Sequence, residues 1–437
     1  MSDCGAPLPT TCVVGAGPAG LAAARSFLAH GLPVEVFERH NAIGGLWDPT
    51  NEGTAIYESA HFISSKTMSG FPEFPMPDRF PDYPSHGQIL EYLRSYAETF
   101  DLHRVITTGC GVTSADWNQG RWQVKLADGR ERSFDHLICA NGTQWHPEMP
   151  EYPGEFNGEM IHSVEHWSAD RFRGKRVLVI GAGNSGVDIA CDAATAADFA
   201  AISMRRGYHI IPKHILGQPA DVFGATGPDL PPRVTQAVFG KLLRLLVGDL
   251  TRLGLAKPDH KLFETHPILN SEILHYLSHG DLVVRRDVER FDGATVHFVD
   301  GTSDEFDLIV LATGYRIEVP YLDNSHFEWH HNRPQLYLNA FHRSNPQLHA
   351  IGFAEGDGGA YTAFELTADS IAGLIRMLHS QPHRRQEWLD FVATDDSDVG
   401  GGFKRVDSPR HTNYLHLAHY QKQLAALGDR FSWAKSD

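Results

Sequence analysis

Cys12-Val13-Val14-Gly15-Ala16-Gly17-Pro18-Ala19-Gly20, near the start of the chain, and Val177-Leu178-Val179-Ile180-Gly181-Ala182-Gly183-Asn184-Ser185-Gly186, in its middle, are two copies of one pattern. Each is an apolar β-branched run, then glycines spaced G-x-G-x-x-G, then an Ala-rich stretch with helical spacing. Strand, tight glycine turn and helix in that order form the phosphate-binding unit of a doubly wound α/β domain. The first Gly makes the turn, the second leaves room for a pyrophosphate, and the third lets the helix lie on the strand. Backbone N–H groups at the helix start then face the diphosphate. A second pair of motifs also repeats with the same internal spacing. Asp128-Gly129, Phe134-Asp135 and Ala140-Asn141-Gly142 are echoed by Asp300-Gly301, Phe306-Asp307 and Ala312-Thr313-Gly314. Each copy therefore reads as strand, glycine loop, helix, a later β-meander turning at Asp-Gly, and a strand ending in Ala-x-Gly.

The residue that closes the second strand separates the copies. Val34-Glu35-Val36-Phe37 ends at Glu38, and a carboxylate there accepts hydrogen bonds from both hydroxyls of an unphosphorylated ribose. Ala201-Ile202-Ser203-Met204 ends instead at Arg205-Arg206, cations suited to a 2′-phosphate, so the second nucleotide is expected to be NADPH. One ribose-binding and one 2′-phosphate-binding site in a single chain are what a flavoprotein reduced by NADPH requires, with FAD in the first. The expected fold is α/β, two Rossmann-like dinucleotide-binding domains with the NADPH domain inserted into the FAD domain. The chain is expected to leave the FAD domain between Gly142 and Trp167 and to return after Gly314. The boundaries drawn are 1–165 for the first part of the FAD domain, 166–317 for the NADPH domain and 318–437 for the second part.

Composition narrows the classes. The chain has 437 residues, 38 Lys+Arg against 54 Asp+Glu, a formal charge of −16, and 42% hydrophobic residues. That is a globular composition, and a net negative chain without a Lys/Arg tract argues against nucleic-acid binding. Cys4, Cys12, Cys110, Cys139 and Cys191 are scattered and form no Cys-x-x-Cys, which excludes a zinc knuckle and a disulfide reductase's dithiol and favours a reducing, cytoplasmic setting. No basic leader precedes an apolar run, and no stretch reaches the ~18 apolar residues of a spanning helix. The histidines, among them His162, His166, His209, His214, His330 and His331, lack metal-ligand spacing with carboxylate support, so no metal site is expected.

Further motifs resemble the flavin-containing monooxygenases, the class B single-component enzymes. They are Gly44-Gly45-Leu46-Trp47, Lys66 to Pro77 (KTMSGFPEFPMP), Phe156-x-Gly158-xxx-His162-Ser163, the Gly-Asn-Ser-Gly of the second loop, and Leu311-Ala-Thr-Gly-Tyr315, in the family's order over about residues 12 to 375. The resemblance implies tightly held FAD, reduction by NADPH, and a flavin hydroperoxide that passes one oxygen to a nitrogen or sulfur nucleophile of a small molecule. It also implies that Leu46 and Trp47 contact FAD while Asn184, Ser185 and Gly186 lie at the NADPH pyrophosphate. Arg39, next to Glu38, and Gly45 are counted with them as cofactor-binding positions. Molecular oxygen and a small-molecule substrate are the implied partners, and the oligomeric state stays open between monomer and homodimer. Baeyer–Villiger oxygenation of ketones and an uncoupled NADPH oxidase releasing hydrogen peroxide are the alternatives.

Two departures from that family stand out. His166 occupies the place of an aromatic, which arrives one residue later as Trp167. Ile63 stands where these enzymes typically carry an Asn whose amide contacts both flavin and NADP⁺, and isoleucine has no hydrogen to donate. Ser64 and Ser65 follow directly and are the candidates to take over part of that role. Asp188 and Asp192, at helical spacing, read as exposed or capping residues of the helix after the second loop. Residues 214–266 exceed what a minimal NADPH domain needs and are expected to be a helical insertion, its Val238, Leu242, Leu245 and Leu246 buried against the domains. Phe71 to Pro84 is a rigid proline-rich loop, Ile351 to Met377 a strand, glycine turn and helix, Gly400 to Pro409 a loop, and Tyr414 to Leu427 a closing helix.

Overall fold

The computed structural model describes residues 7–227, 230–408, 411 and 414–433; Cys4 and Pro409 lie outside them. Thr11–Val14 is the central strand of a five-stranded parallel sheet whose order is Leu348–Ala350, His136–Cys139, Thr11–Val14, Val34–Phe37, Ile106–Thr107. All four residues of that strand are buried, as an apolar run covered on both faces must be. Gly15 turns the chain into α1 (Pro18–Ala29), which begins with Pro at a position where the missing N–H costs nothing. Short α2 (Lys66–Ser69) and α3 (His86–Thr99) follow, the latter closed by a Ser85/Gln88 capping box.

The second sheet has the order Val283–Arg285, Phe199–Ser203, Arg176–Ile180, Leu308–Leu311, Glu159–His162, again all parallel. It matches the first sheet strand for strand, with α4 (Asn184–Ala196) in the place of α1. Only the fifth strand differs in origin. The first sheet draws it late from the chain, at 348–350, and the second draws it early, at 159–162. The chain therefore passes between the sheets twice, and the two passages pair antiparallel as His146–Pro147 with Tyr315–Arg316.

Each sheet carries a three-stranded meander: Val112–Asn118, Arg121–Leu126 and Glu131–Phe134 on one, Val288–Asp292, Thr295–Phe298 and Ser303–Glu305 on the other. Gly129 and Gly301 take φ of +85° and +81° in the connecting turns, which explains the repeated Asp-Gly. The repeated Phe-Asp is also accounted for. Phe134 and Phe306 are buried, while Asp135 accepts from the Thr10 N–H and Asp307 from the Arg176 N–H, each at 2.8 Å. In both copies a carboxylate ties the meander to the start of the central strand.

The segment over 214–266 is only partly helical. It opens with a hairpin, His214–Ile215 against Gln218–Pro219, before α5 (Ala220–Ala225) and α6 (Pro232–Val247). Ile210–Ile211 pairs with Ile268–Leu269 at its base, so the segment leaves and re-enters at one point. The expected burial of its apolar spacing is not observed. Leu245 is 83% exposed, Val238 and Leu246 are also exposed and Leu242 is half-buried, whereas Leu243 is buried. Phe239 meets Phe223 and Phe263, so the helix turns its 239/243 face inward and leaves the 238/245 face outward. After α7 (Glu272–His279), the C-terminal part holds α8 (Ala360–Ser380), α9 (Arg385–Thr394) and α10 (Leu417–Phe431). The glycine turn before α8 is as expected, and the closing helix starts and ends a few residues later than expected.

Candidate functional site

The first glycine loop is sterically closed to side chains where the fold needs it and open where a ligand would lie. Gly15 has φ +107°, and a Cβ on Gly20 would fall 1.8 Å from the Gly15 carbonyl oxygen. Gly17 has an ordinary extended backbone, φ −76° and ψ −174°, so nothing in its own conformation demands glycine. What faces it is the backbone of Gly45, whose Cα would lie 3.4 Å from a Gly17 Cβ. No side chain caps α1, which leaves its first N–H groups free for an anion. Buried Glu38 leans over the same loop, accepting from the Ala16 N–H at 2.6 Å and the His40 N–H at 2.8 Å. Each carboxylate oxygen keeps a further acceptor position. Arg39, next to Glu38, stacks on Trp145 at 4.3 Å. The bare cradle, the uncapped helix and the carboxylate fit a dinucleotide diphosphate with a free ribose.

Gly45-Leu46-Trp47 forms a single 3₁₀ turn beside that loop, and buried Asn51 donates to the Gly45 carbonyl at 3.1 Å. Trp47 meets Phe62 at 5.2 Å, and Phe62 meets Tyr361 of α8 at 5.5 Å, so three aromatics wall this side. The next three residues diverge sharply. Ile63 is 37% exposed, and the Ser64 hydroxyl accepts from Ser69 at 2.7 Å. Ser65 is fully buried; its N–H donates to Asp221 of α5 at 2.6 Å, while its hydroxyl has no hydrogen-bond partner. Lys66 is structural, its ammonium donating to the carbonyls of Asp78 and Phe80 and so pinning the proline-rich loop.

The second loop repeats the geometry of the first. Gly181 has φ +111°, and a Cβ on Gly186 would fall 2.3 Å from the Gly181 oxygen. Gly183 is extended like Gly17, and α4 also lacks a side-chain cap. Asn184 accepts from the Leu269 N–H at 3.2 Å, and Ser185 is exposed. Arg205 is exposed and Arg206 half-buried past the end of the second strand, and neither guanidinium has a hydrogen bond or ion pair among the described residues. Two uncommitted cations and an uncapped helix fit a phosphorylated dinucleotide.

Asp188 and Asp192 of α4 are neither exposed nor capping. Tyr57 donates its hydroxyl to Asp188 at 2.9 Å, and Asn270 donates to the other oxygen at 2.8 Å. Ser59 donates to Asp192 at 2.8 Å, and His166 lies 3.2 Å from the same oxygen. These bonds fasten the segment just before Ile63 to the second sheet's first helix. Burial pushes the Asp188 carboxyl above the ordinary range, with the Tyr57 hydrogen bond pulling the other way. The spacing of the two aspartates was visible in sequence, but Tyr57 and Ser59 lie more than a hundred residues before them and Asn270 well after. The Phe156 to Ser163 motif is likewise explained by packing. A Cβ on Gly158 would strike the Phe156 ring and the Asp307 oxygen. His162 takes the Val164 N–H on Nδ1 and so donates from Nε2 to the Gly314 carbonyl at 3.2 Å, joining the two passages between sheets. His166 stacks on Phe172 at 4.8 Å and 3°, filling the aromatic's place, while Trp167 lies 45% exposed.

The family model described as flavin-binding monooxygenase-like matches residues 10–421. The chain belongs to that family. Among relatives of this flavin-binding monooxygenase are the probable indole-3-pyruvate monooxygenase YUCCA9 of Arabidopsis thaliana, 33% identical over 80% of this chain and 85% of its own, and flavin-containing monooxygenase 5 of Oryctolagus cuniculus, 32% identical over 95% and 82%. Dimethylaniline monooxygenase (N-oxide-forming) 2 of Mus musculus is 31% identical over 95% and 83%. The fold is shared with S-allyl-L-cysteine S-oxygenase from Allium sativum (TM-score 0.67, 21% identity, 99% and 90% covered) and with cyclohexanone monooxygenase from Rhodococcus sp. Phi1 (TM-score 0.70, 19% identity, 97% and 98% covered). The protein is thus an FAD- and NADPH-dependent monooxygenase with two Rossmann-type sheets. No helix among the described residues is long and apolar enough to cross a membrane.

Proposed function

We propose that this monooxygenase inserts one atom of molecular oxygen into a soft nitrogen or sulfur nucleophile of a small cytoplasmic molecule. The observation that carries the reading is the contrast between two otherwise equivalent glycine loops, one leading to Glu38 and the other to Arg205 and Arg206. It supports FAD on Gly15, Gly17, Gly20, Glu38, Arg39, Gly45, Leu46 and Trp47. It likewise supports NADPH on Gly181, Gly183, Asn184, Ser185, Gly186, Arg205 and Arg206. Residues 1–165 and 318–437 are assigned to the FAD-binding part and 166–317 to the NADPH-binding part, except that the Glu159–His162 strand is hydrogen-bonded into the second sheet and so moves the first boundary to before Glu159. When bound, NADPH supplies hydride and FAD supplies two-electron reduction of oxygen.

The chain's own residues orient and enclose. The N-terminal N–H groups of α1 and α4 bind the two diphosphates. Trp47, Phe62 and Tyr361 exclude water from one side. Tyr57, Ser59 and Asp221 hold the Ile63–Ser65 segment to α4 and α5, each neutral-to-carboxylate bond contributing ~1.5–3 kcal/mol. Ile63 offers no donor to oxygen chemistry at its own position, which favours as a second reading a protein that loses much of its reducing power as hydrogen peroxide. The two readings are separated by measuring NADPH oxidation, hydrogen peroxide and oxygenated product together, with dimethylaniline and a thioether as probes. Product in proportion to NADPH supports the monooxygenation proposed; peroxide equal to NADPH whatever the probe supports the oxidase.

A further inference from the structure

Arg206 does not face open solvent. It lines a cavity of about 380 Å³ with Asp259, His260 and Glu264 of the segment inserted in the second half, and with Lys404 and Arg405 of the C-terminal loop. The loop is held over the cavity. The Val406 N–H donates to the Glu264 carbonyl at 2.9 Å, and Arg405 donates to the Phe263 carbonyl while stacking on Tyr414 at 4.3 Å. Remote parts of the chain therefore bring three cations to one hollow.

The acids in the same wall have partners of their own. Asp259 bonds His260 at 2.7 Å, Glu264 accepts from the Lys261 N–H at 2.9 Å, and Asp407 lies 3.6 Å from His331. The cations are less committed. Neither Arg206 nor Lys404 has a hydrogen bond or ion pair among the described residues, although the Arg206 charge helps hold the Asp259 carboxyl below its ordinary range, after the His260 hydrogen bond. Nε and Nη2 of Arg405 are buried without a hydrogen bond, the nearest carboxylate being Asp357 at 3.8 Å. Buried guanidinium hydrogens left unmatched are costly, and an anion in the hollow would satisfy them.

We propose that this cavity seats the coenzyme's 2′-phosphate, and that Lys404 is a ligand to it beside Arg206. The inference rests on the assignment of NADPH to the second glycine loop. The lining holds three cations and three carboxylates, and because the carboxylates are bonded elsewhere while Arg206 and Lys404 are not, a phosphomonoester, with a charge of about −1.5 to −2 near neutral pH, meets the cations' open donors better than a neutral ligand would. Its consequence is that the C-terminal loop, which no dinucleotide motif touches, reads whether the coenzyme is phosphorylated.

The test is calorimetric titration of the flavin-loaded protein with 2′,5′-ADP, with 5′-ADP and with inorganic phosphate, in wild type, Lys404→Ala, and Lys241→Ala as a charge-matched control on α6. Lys404→Ala is expected to raise the Kd for 2′,5′-ADP about tenfold, leave 5′-ADP unchanged, and differ from Lys241→Ala, which changes neither. Equal losses for the two adenosine ligands would mean the loop is merely structural, and unchanged binding of both would remove Lys404 from the site; either overturns the proposal. So would phosphate binding that Lys404→Ala abolishes while 2′,5′-ADP binding stays intact, since the hollow would then be a separate anion site. Arg205→Ala/Arg206→Ala tests the underlying reading. If that double variant keeps the preference for 2′,5′-ADP, the coenzyme assignment itself fails, whereas its loss with Lys404→Ala silent overturns only the present inference.

Discussion

Residues 10–142 and 175–314 are the same structure built twice, down to single atoms: the third glycine lies on the first glycine's oxygen, and a Phe-Asp pair ties the meander to the central strand. The two halves part at the second strand's end, where buried Glu38 bonds back into its own loop while Arg205 and Arg206 stay uncommitted. They part again beyond that strand, where each half reaches its next strand through a segment of its own, residues 38–105 in the first and 204–282 in the second, and α5 of the second reaches across to Ser65. Positions that repeat are those the backbone requires; positions that differ are those free to meet a ligand or the other half.

The largest effect is expected from filling the middle glycine of each loop. Both have φ that any residue adopts, so valine would obstruct an approaching diphosphate rather than strain the chain. Gly17→Val is expected to yield colourless protein. Gly183→Val should remain yellow yet be reduced by NADPH at least ~100-fold more slowly, judged by anaerobic bleaching of the flavin. Flavin lost from the second variant and kept by the first would reverse the two sites.

Charge at the strand end is the next effect in size. Removing both guanidinium groups, Arg205→Ala/Arg206→Ala, should raise the Michaelis constant for NADPH by roughly tenfold or more and leave NADH nearly unchanged. An unaltered ratio of the two coenzymes would deny that this difference between the halves selects the nucleotide.

A few-fold change is expected at Ile63. A hydrogen bond to a buried acceptor is worth ~1–3 kcal/mol. Ile63→Asn should therefore lower the hydrogen peroxide formed per NADPH by several-fold. The measurement is peroxide yield with and without an accepted substrate. A higher leak in the variant would point to the buried Ser65 hydroxyl as the group that matters.

The smallest effect concerns the fastening between halves. Burial raises the Asp188 carboxyl, so between the unfolded value near 3.8 and the raised value the folded state binds more protons than the unfolded one. Stability must then fall as pH rises through that window. Asp188→Asn preserves acceptance from Asn270 and, with Tyr57's oxygen accepting, should flatten the slope, changing Tm by ~2–4 °C at its upper end. Parallel slopes in the two proteins would mean that Asp188 titrates normally.

Glycine loops, Asp-Gly turns and strand-ending residues were legible because their meaning is local. A positive φ, a missing Cβ or a charge at the end of a strand acts within a few residues, and the doubling of the pattern confirmed each copy by the other. Legible too, by resemblance, was the Phe156 to Ser163 motif, although its reason, the joining of two passages at His162 and Gly314, was not. Helical periodicity marked α6 as amphipathic but not which stripe would be covered. Its interior contacts come from Phe223 and Phe263, and these sit apart from the helix in sequence. The same holds for Tyr57 with Asp188, Ser65 with Asp221, and Arg206 with Lys404. Local sequence set the conformation and chemical kind of each element, and only the packing of two sheets and an inserted segment decided which groups share a boundary, since those encounters depend on the whole chain closing around its cores.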